Sequence, residues 1–556
     1  MVTSSESRPS PLQRLRQVLT PERSDVWTIL LYVAAVGVLT LIVPVTTQAL
    51  VNTAAFGTLL QPLLILAALV FAVLGAAGFL RVLQVIVAER LQQRIFARMA
   101  VDLAHRLPRV RIEAFDQSRG TELVNRFFDV LTIQKSTALI LLDGLAVVLQ
   151  TAIGMVLLAL YHPFLLGFDV LLLGSMGIVL FGLGRGAVRT SVAESYAKYG
   201  VVAWLEELAR APLAFRLAGG PKLALRHADA ATVTYLGARQ KHFRILLRQI
   251  VGTLVVQAVG SAALLGLGGW LVSRQQLTLG QLVAAELIVT PSVASFAKFG
   301  KYLETFYELL AGVDKVGHLF ELPLEHEHGE TLADGGRGCQ LELRGVTFAR
   351  GSRLILDQVE LELAPGDRLA VLGGTAAGKS ALADVMTGNR HPQQGLVRID
   401  GLDLREVAPP SLRARAALVR SHALFDGTLR DNLRMDREGV EPHHVAELLD
   451  RLGLRSELES LPQGLDAVTT GADGSVSTGE AALLTLGRAV LGRPGLLVVD
   501  EVLDGLEDDA CTRALDLLLD PTAPWTLVVL TRSPTLASRL PRAVRLQDGK
   551  LVEGHP

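Results

Sequence analysis

The chain is 556 residues long and 50% hydrophobic, and it carries 54 Lys and Arg against 55 Asp and Glu, a net charge of −1. That length calls for two or more domains, and a mean hydropathy of +0.38 is too apolar for an ordinary soluble enzyme. The balanced charge leaves no footprint for nucleic acid, and Cys339 and Cys511 stand too far apart to suggest a disulfide framework or a cysteine zinc site.

Residues 1–25 lack the short apolar core of a secretory signal, so the apolar content is expected to stay in the chain. Within them Pro11–Leu19 is basic and amphipathic, the pattern of a helix lying along a membrane surface. Residues 26–320 then carry six runs of roughly 20 apolar residues, near 26–49, 58–88, 137–160, 163–184, 247–273 and 278–300. Each is long enough to cross the lipid bilayer. The stretches 89–136 and 185–246 are long and rich in Arg and Lys, whereas the other links are short and almost uncharged. Positive loops stay on the cytoplasmic side, which predicts a multi-pass protein of the plasma or inner membrane with both termini cytoplasmic. Helical periodicity inside the two long loops predicts cytosolic extensions of the membrane helices, with tips around Ile112–Gln117 and Trp204–Arg210.

Polar residues within the apolar runs are few. Thr253, Gln257 and Ser261, with Gly260 and Gly266, read as helix-packing residues. Asp143, Asp169, Glu286 and Thr290 also lie there, and Asp169 and Glu286 could line a cavity. The Glu/His-rich and Gly-rich stretch 321–339 reads as a solvated linker, His326 and His328 included, rather than a metal site.

From Gln340 to the end the pattern alternates strands and helices, an α/β domain at 340–556. Arg368–Leu372 is an apolar strand, Gly373, Gly374, Thr375, Ala376, Ala377 and Gly378 form a tight loop, and Lys379 and Ser380 open a helix. Strand, GxxxxGK[ST] and helix in that order make a phosphate-binding P-loop. Its backbone N–H groups and helix N-terminus form an anion cradle. Lys379 would reach the terminal phosphates and the Ser380 hydroxyl would ligate Mg²⁺, so ATP and Mg²⁺ are the expected cofactors. Further along, the apolar strand Leu496–Val499 ends in Asp500 and Glu501. Downstream of a P-loop this is a Walker B element, with Asp500 holding the metal and Glu501 the catalytic group that orients or activates water.

These motifs behind six apolar runs resemble an ABC transporter of the exporter type, a half-transporter, over about residues 20–552. The resemblance implies an all-α six-helix transmembrane domain followed by an α/β P-loop ATPase acting as a translocase. It also implies a second half-transporter, in a homodimer or heterodimer, because the family's ATPase domains pair head to tail. Each ATP would then lie between one subunit's P-loop and the other's signature loop, here Val476-Ser477-Thr478-Gly479-Glu480 with Ser477 and Gly479 retained.

The chain departs from the family pattern at several positions. Thr478 and Ala376 replace glycines, and Arg420 stands at the Gln position. Arg532 stands at the switch His, Arg350 lies where an adenine-stacking aromatic is expected, and Glu507 replaces a shorter carboxylate. Phosphate binding survives these changes, but the groups that hold water and γ-phosphate in register do not. A misplacement of ~1 Å can slow hydrolysis about 100-fold, and Arg reproduces neither a neutral Gln nor an imidazole. The expectation is an ATP-binding and permease subunit of an ABC exporter, moving an unidentified substrate, with slow or conditional hydrolysis and a suspected partner chain. The alternative is an ATP-sensing membrane subunit that supports a partner complex without cargo of its own.

Overall fold

The computed structural model describes residues 9–54, 60–116, 124–217, 219–333, 336–420, 424–459, 461, 463–469 and 476–553. They fall into two compact units, Met1–Arg109 with Gln117–Leu322 and Val110–Asp116 with Pro323–Pro556.

The first unit is helical. Arg23–Val51, Leu63–Arg109, Arg126–Leu160, Pro163–Leu183 and Gly220–Ser273 are long and apolar enough to cross a membrane. The sixth expected span belongs to the helix Leu279–Phe320, apolar over Leu279–Ile288; the side chains of 289–300, Thr290 among them, lie outside the described residues. Helix Leu60–Arg106 has 47 residues, and at about 1.5 Å per residue it runs about 70 Å, more than twice a hydrocarbon core of ~30 Å. The excess length is the extension that the loop periodicity predicted.

Two local expectations need correction. The 185–246 loop does not turn at Trp204–Arg210, because helix Ala187–Arg210 runs through that stretch. Trp204 is half-buried there and donates its indole N–H to the Ala224 carbonyl at 3.0 Å. The chain turns through the short helix Pro212–Arg216, opened by a proline and followed by Gly219 at φ +82°. The amphipathic helix Pro11–Leu19 is also more than a surface float. Ser10 and Gln13 form its capping box, and the buried Arg14 donates to Asp314 at 2.5 Å and Glu321 at 2.8 Å on the last helix and its cap.

The intramembrane polar residues divide by environment. Thr253 donates to the Gln249 carbonyl of its own helix at 2.7 Å, a packing role. Close packing falls on Gly252 and Gly268, where an added Cβ would lie 2.7 and 2.5 Å from Leu183 and Leu282; Gly266 faces open space instead. Asp143 is exposed, Glu286 is half-buried, and Asp169 is buried with both carboxylate oxygens lacking a hydrogen-bond partner.

The second unit is built on two sheets. Strands β1 (Leu341–Arg350), β2 (Arg353–Leu363), β4 (Gln394–Ile399) and β5 (Leu402–Asp403) make an antiparallel sheet in the order β2-β1-β4-β5. A six-stranded sheet takes β3 (Arg368–Leu372), β6 (Ala416–Arg420), β9 (Leu496–Asp500), β10 (Thr526–Thr531), β11 (Arg542–Gln547) and β12 (Lys550–Glu553), in the order β12-β11-β3-β10-β9-β6. Its central strands are apolar along their middles because both faces are covered. On β9, Leu496 and Val498 join the core under the antiparallel sheet and P-loop helix. Leu497 and Val499 join the core under helices Pro442–Leu452, Thr478–Leu491 and Asp508–Leu518. A small ladder of β7 (Gly427–Thr428) and β8 (Val468–Thr469) sits beside them.

The stretch read as a solvated linker is laid against this unit. Glu330 exchanges backbone bonds with Glu406 and Ala408, and the His326 ring meets the Val407 carbonyl at 2.9 Å. Gly329 permits that approach, since a Cβ there would sit 2.5 Å from the Ala408 nitrogen.

Candidate nucleotide site

Strands β3, β10, β9 and β6 run parallel in that spatial order, so their carboxyl ends meet at one edge. Leu372 pairs with Thr531, Leu530 with Asp500, and Asp500 with Arg420. Gly373, Arg532, Glu501 and Arg420 consequently fall within three successive levels at the carboxyl edge, where ligands bind open α/β sheets.

The P-loop turns sharply off β3. Gly378 adopts φ +104°, and a Cβ on it would press the Ile355 carbonyl at 3.0 Å. Ala376 takes φ +64°, a left-handed conformation that costs an L-residue about 1–2 kcal/mol and suits the glycine usual there. Gly374, Thr375 and Ala376 are exposed, Ala377 is half-buried, and helix Lys379–Met386 begins directly behind them. Lys379 is buried, bonded to the carbonyls of Gly373 and Gly374 (the latter at 2.8 Å), and its ammonium lies 3.0 Å from Glu501 Oε1. Lys379 and Glu501, 122 positions apart in the sequence, are therefore neighbours.

Arg420 makes the densest set of contacts at the site. Its Nε donates to Asp500 Oδ2 at 2.7 Å, one terminal nitrogen to Asp384 Oδ1 at 2.8 Å, and the other to the Ser380 carbonyl at 2.6 Å. The guanidinium thus ties the end of β9 to the P-loop helix. Asp500 Oδ1 is buried without a hydrogen-bond partner, an oxygen suited to a metal ion, and Ser380 is exposed in the first turn of helix Lys379–Met386, tied to Asp500 through the Arg420 guanidinium. The donor set therefore fits magnesium through Asp500 Oδ1 and Ser380, with half of the Asp500 carboxylate already paired to Arg420.

Arg532 acts on the other carboxylate. Its Nε lies 3.4 Å from Glu501 Oε2 and 3.7 Å from Asp504 Oδ2, and its backbone N–H donates to Asp504 at 2.8 Å. Thr531 donates its hydroxyl to the other Asp504 oxygen. Both oxygens of Glu501 therefore face cations, and its backbone stands at φ +57°. Asp384 and Asp504 were missed by sequence reasoning; Glu507, the acidic position after the Walker B strand, directly precedes helix Asp508–Leu518. The available signal was that a new arginine at a buried edge requires a carboxylate within reach.

The signature stretch is a helix start. Ser477 caps Thr478–Leu491, accepting from the Glu480 N–H at 3.2 Å while Glu480 accepts from the Ser477 N–H at 2.6 Å. Thr478 is exposed at the first helical position, and Gly479 has room for a side chain, the nearest atom being Leu506 at 4.0 Å.

Arg350 is engaged elsewhere. It donates to Asp116 Oδ1 at 2.5 Å, and Arg390 grips the same carboxylate with two bonds of 2.7 and 2.8 Å. The Arg390 hydrogen bonds hold the Asp116 carboxyl below the usual carboxylate range. Arg390 Nε also lies 3.5 Å from Asp384 Oδ2. A ladder of alternating charge therefore runs Asp116, Arg390, Asp384, Arg420, Asp500.

Residues 356–504 match the family model described as ABC transporter. The chain is 28% identical over 480 residues to the mycobactin import ATP-binding/permease protein IrtB of Mycolicibacterium thermoresistibile, covering 83% of this chain and 80% of that protein. It is 24% identical over 502 residues to the ATP-dependent lipid A-core flippase of Desulfotalea psychrophila, covering 88% and 86%. Its fold is similar to that of a bacterial Atm1-family ABC exporter solved with ATP bound, at a TM-score of 0.84 and 20% identity over 96% and 95% of the two chains.

Proposed function

The chain belongs to the ABC transporter family as a fused ATP-binding/permease protein with the exporter fold, and from that premise we propose that it binds ATP at Gly373–Ser380 and hydrolyses it slowly. The observation that carries the reading is the meeting of Lys379, Asp500 and Glu501 at one edge of the parallel sheet. Gly373, Gly374, Thr375, Ala376, Ala377 and Gly378 wrap the phosphates with backbone N–H groups, and Lys379 leaves Glu501 to meet them. Ser380 and Asp500 Oδ1 would hold Mg²⁺, whose chemistry when bound is to offset charge on the β- and γ-phosphates.

Glu501 is the residue that orients the attacking water, and its pairing with Arg532 is what slows the step. The ATPase units pair across two subunits, with Ser477 and Gly479 at the helix N-terminus facing the partner's nucleotide. A heterodimer is favoured, because a partner that keeps the Gln and His would supply the competent site. The Arg- and Lys-rich loops put the ATPase unit and both termini on the cytoplasmic side, with the apolar helices in the lipid bilayer. The relatives named above import mycobactin and flip lipid A-core, so likeness alone carries neither cargo nor direction. Both are named for moving a cargo and match this chain over most of their length, which disfavours an ATP sensor without cargo.

The test is binding of a fluorescent ATP analogue to the full chain in lipid nanodiscs with magnesium present. Lys379→Ala is expected to weaken binding at least about tenfold, the loss of one charge-assisted contact. Unchanged binding would overturn the assignment.

A further inference from the structure

Free ATP normally reaches a protein as its magnesium complex, the ion offsetting charge on the β- and γ-phosphates. At this site the protein brings positive charge of its own. Arg420 and Arg532 stand where the family pattern has a neutral Gln and a switch His, two permanent cations set among the carboxylates Asp384, Asp500, Glu501 and Asp504. Arg420 is the better placed of the two. Its three bonds to Asp500, Asp384 and the Ser380 carbonyl fix the guanidinium against the first turn of the P-loop helix. About a third of its side chain remains open to the surface, next to the residue expected to face the phosphates. Arg does not lose its proton in proteins, so the charge is permanent.

From this geometry we infer that Arg420 is a protein-supplied cation of the nucleotide site, so that ATP binds with little dependence on magnesium. The inference rests on the P-loop reading above. Magnesium can still reach Asp500 Oδ1, but it must share that carboxylate with a guanidinium already seated on Oδ2. The ladder behind Arg420 keeps it in place. Asp384 is held between Arg420 at 2.8 Å and Arg390 at 3.5 Å, so the guanidinium has little freedom to swing away when nucleotide enters. Arg420 is a specificity-determining residue in this account, setting which ionic form of ATP the site accepts.

The experiment measures displacement of trinitrophenyl-ATP by ATP from the full chain in nanodiscs, once with magnesium and once with EDTA. The wild-type Kd is expected to change by less than about fivefold on chelation, and that of Arg420→Gln to weaken by more than about fivefold in EDTA and recover with magnesium. Arg420→Lys, which keeps the charge but not the three-bond fork, is expected to fall between wild type and Arg420→Gln in EDTA, and unchanged thermal melting of both variants guards against a folding defect. Wild-type binding that falls more than about fivefold in EDTA, or Arg420→Gln binding that stays insensitive to EDTA, would overturn the inference. Lys379→Ala in magnesium separates the two levels. Its loss of binding means the P-loop is being read, and its failure to lose binding removes the site assignment along with this inference.

Discussion

Asp116 and Arg390, 274 residues apart in sequence, form a two-bond carboxylate–guanidinium pair, with Arg350 on the same carboxylate. Val110–Asp116 belongs to the same compact unit as the ATPase fold. Arg350, at the position where the family pattern has an adenine-stacking aromatic, makes this contact. Asp116→Ala is therefore expected to leave ATP affinity within about threefold while ATP-driven transport in vesicles falls about tenfold or more. The charge swap of Asp116→Arg with Arg390→Asp should recover part of that loss. An Asp116→Ala protein that transports normally would dismiss the contact as decoration.

Arg532 holds the Glu501 carboxylate from the side opposite Lys379. Arg532→His should release it and raise phosphate production about tenfold or more, with nucleotide affinity little changed, since positioned acid–base groups contribute on the order of 100-fold or more. A rate that stays flat or drops would mean that Arg532 does not restrain Glu501.

Ser477 has two assignments that can be separated. As a helix cap its loss in Ser477→Ala should lower stability by about 1 kcal/mol. Ser477→Asp keeps a good cap but sets a negative charge toward the partner's phosphates. Thermal melting near wild type with ATP-dependent pairing lost is the expected pattern for that variant. Pairing that survives in Ser477→Asp would reduce Ser477 to a cap alone.

Asp169 is buried in an apolar helix with neither oxygen hydrogen-bonded. A charge at membrane depth without a partner costs roughly 2.5–3.5 kcal/mol on insertion scales. Asp169→Leu should accordingly raise the Tm in detergent by several degrees. A lower Tm would reveal a partner for the carboxylate in the assembled transporter.

Much of this was legible in the sequence. The P-loop and the strand ending in Asp500-Glu501 follow from local pattern, because each is a contiguous strand and turn with its own spacing. The long helices follow from apolar runs in the same way. The long-range pairings were not legible. Nothing in the chain order brings Arg420 to Asp384, or Arg350 to Asp116, because those contacts arise only once β6 is laid beside β9 and the 110–116 segment is packed. The Trp204 tip was misplaced for a related reason: amphipathic periodicity marks a helix face, whereas the turn is fixed by Pro212 and Gly219. Asp504 was not legible because the side chain that reaches Thr531 and Arg532 is set by the turn after β9, which no motif marks.

The most direct test measures ATP binding and steady-state hydrolysis on one preparation of the full chain in nanodiscs. Clear Lys379-dependent binding is expected together with turnover below about 0.1 per second, an order of magnitude under the usual enzyme range, and a rise in that rate in Arg532→His. Ordinary turnover by the unpartnered wild-type chain, abolished by Glu501→Gln, would contradict it.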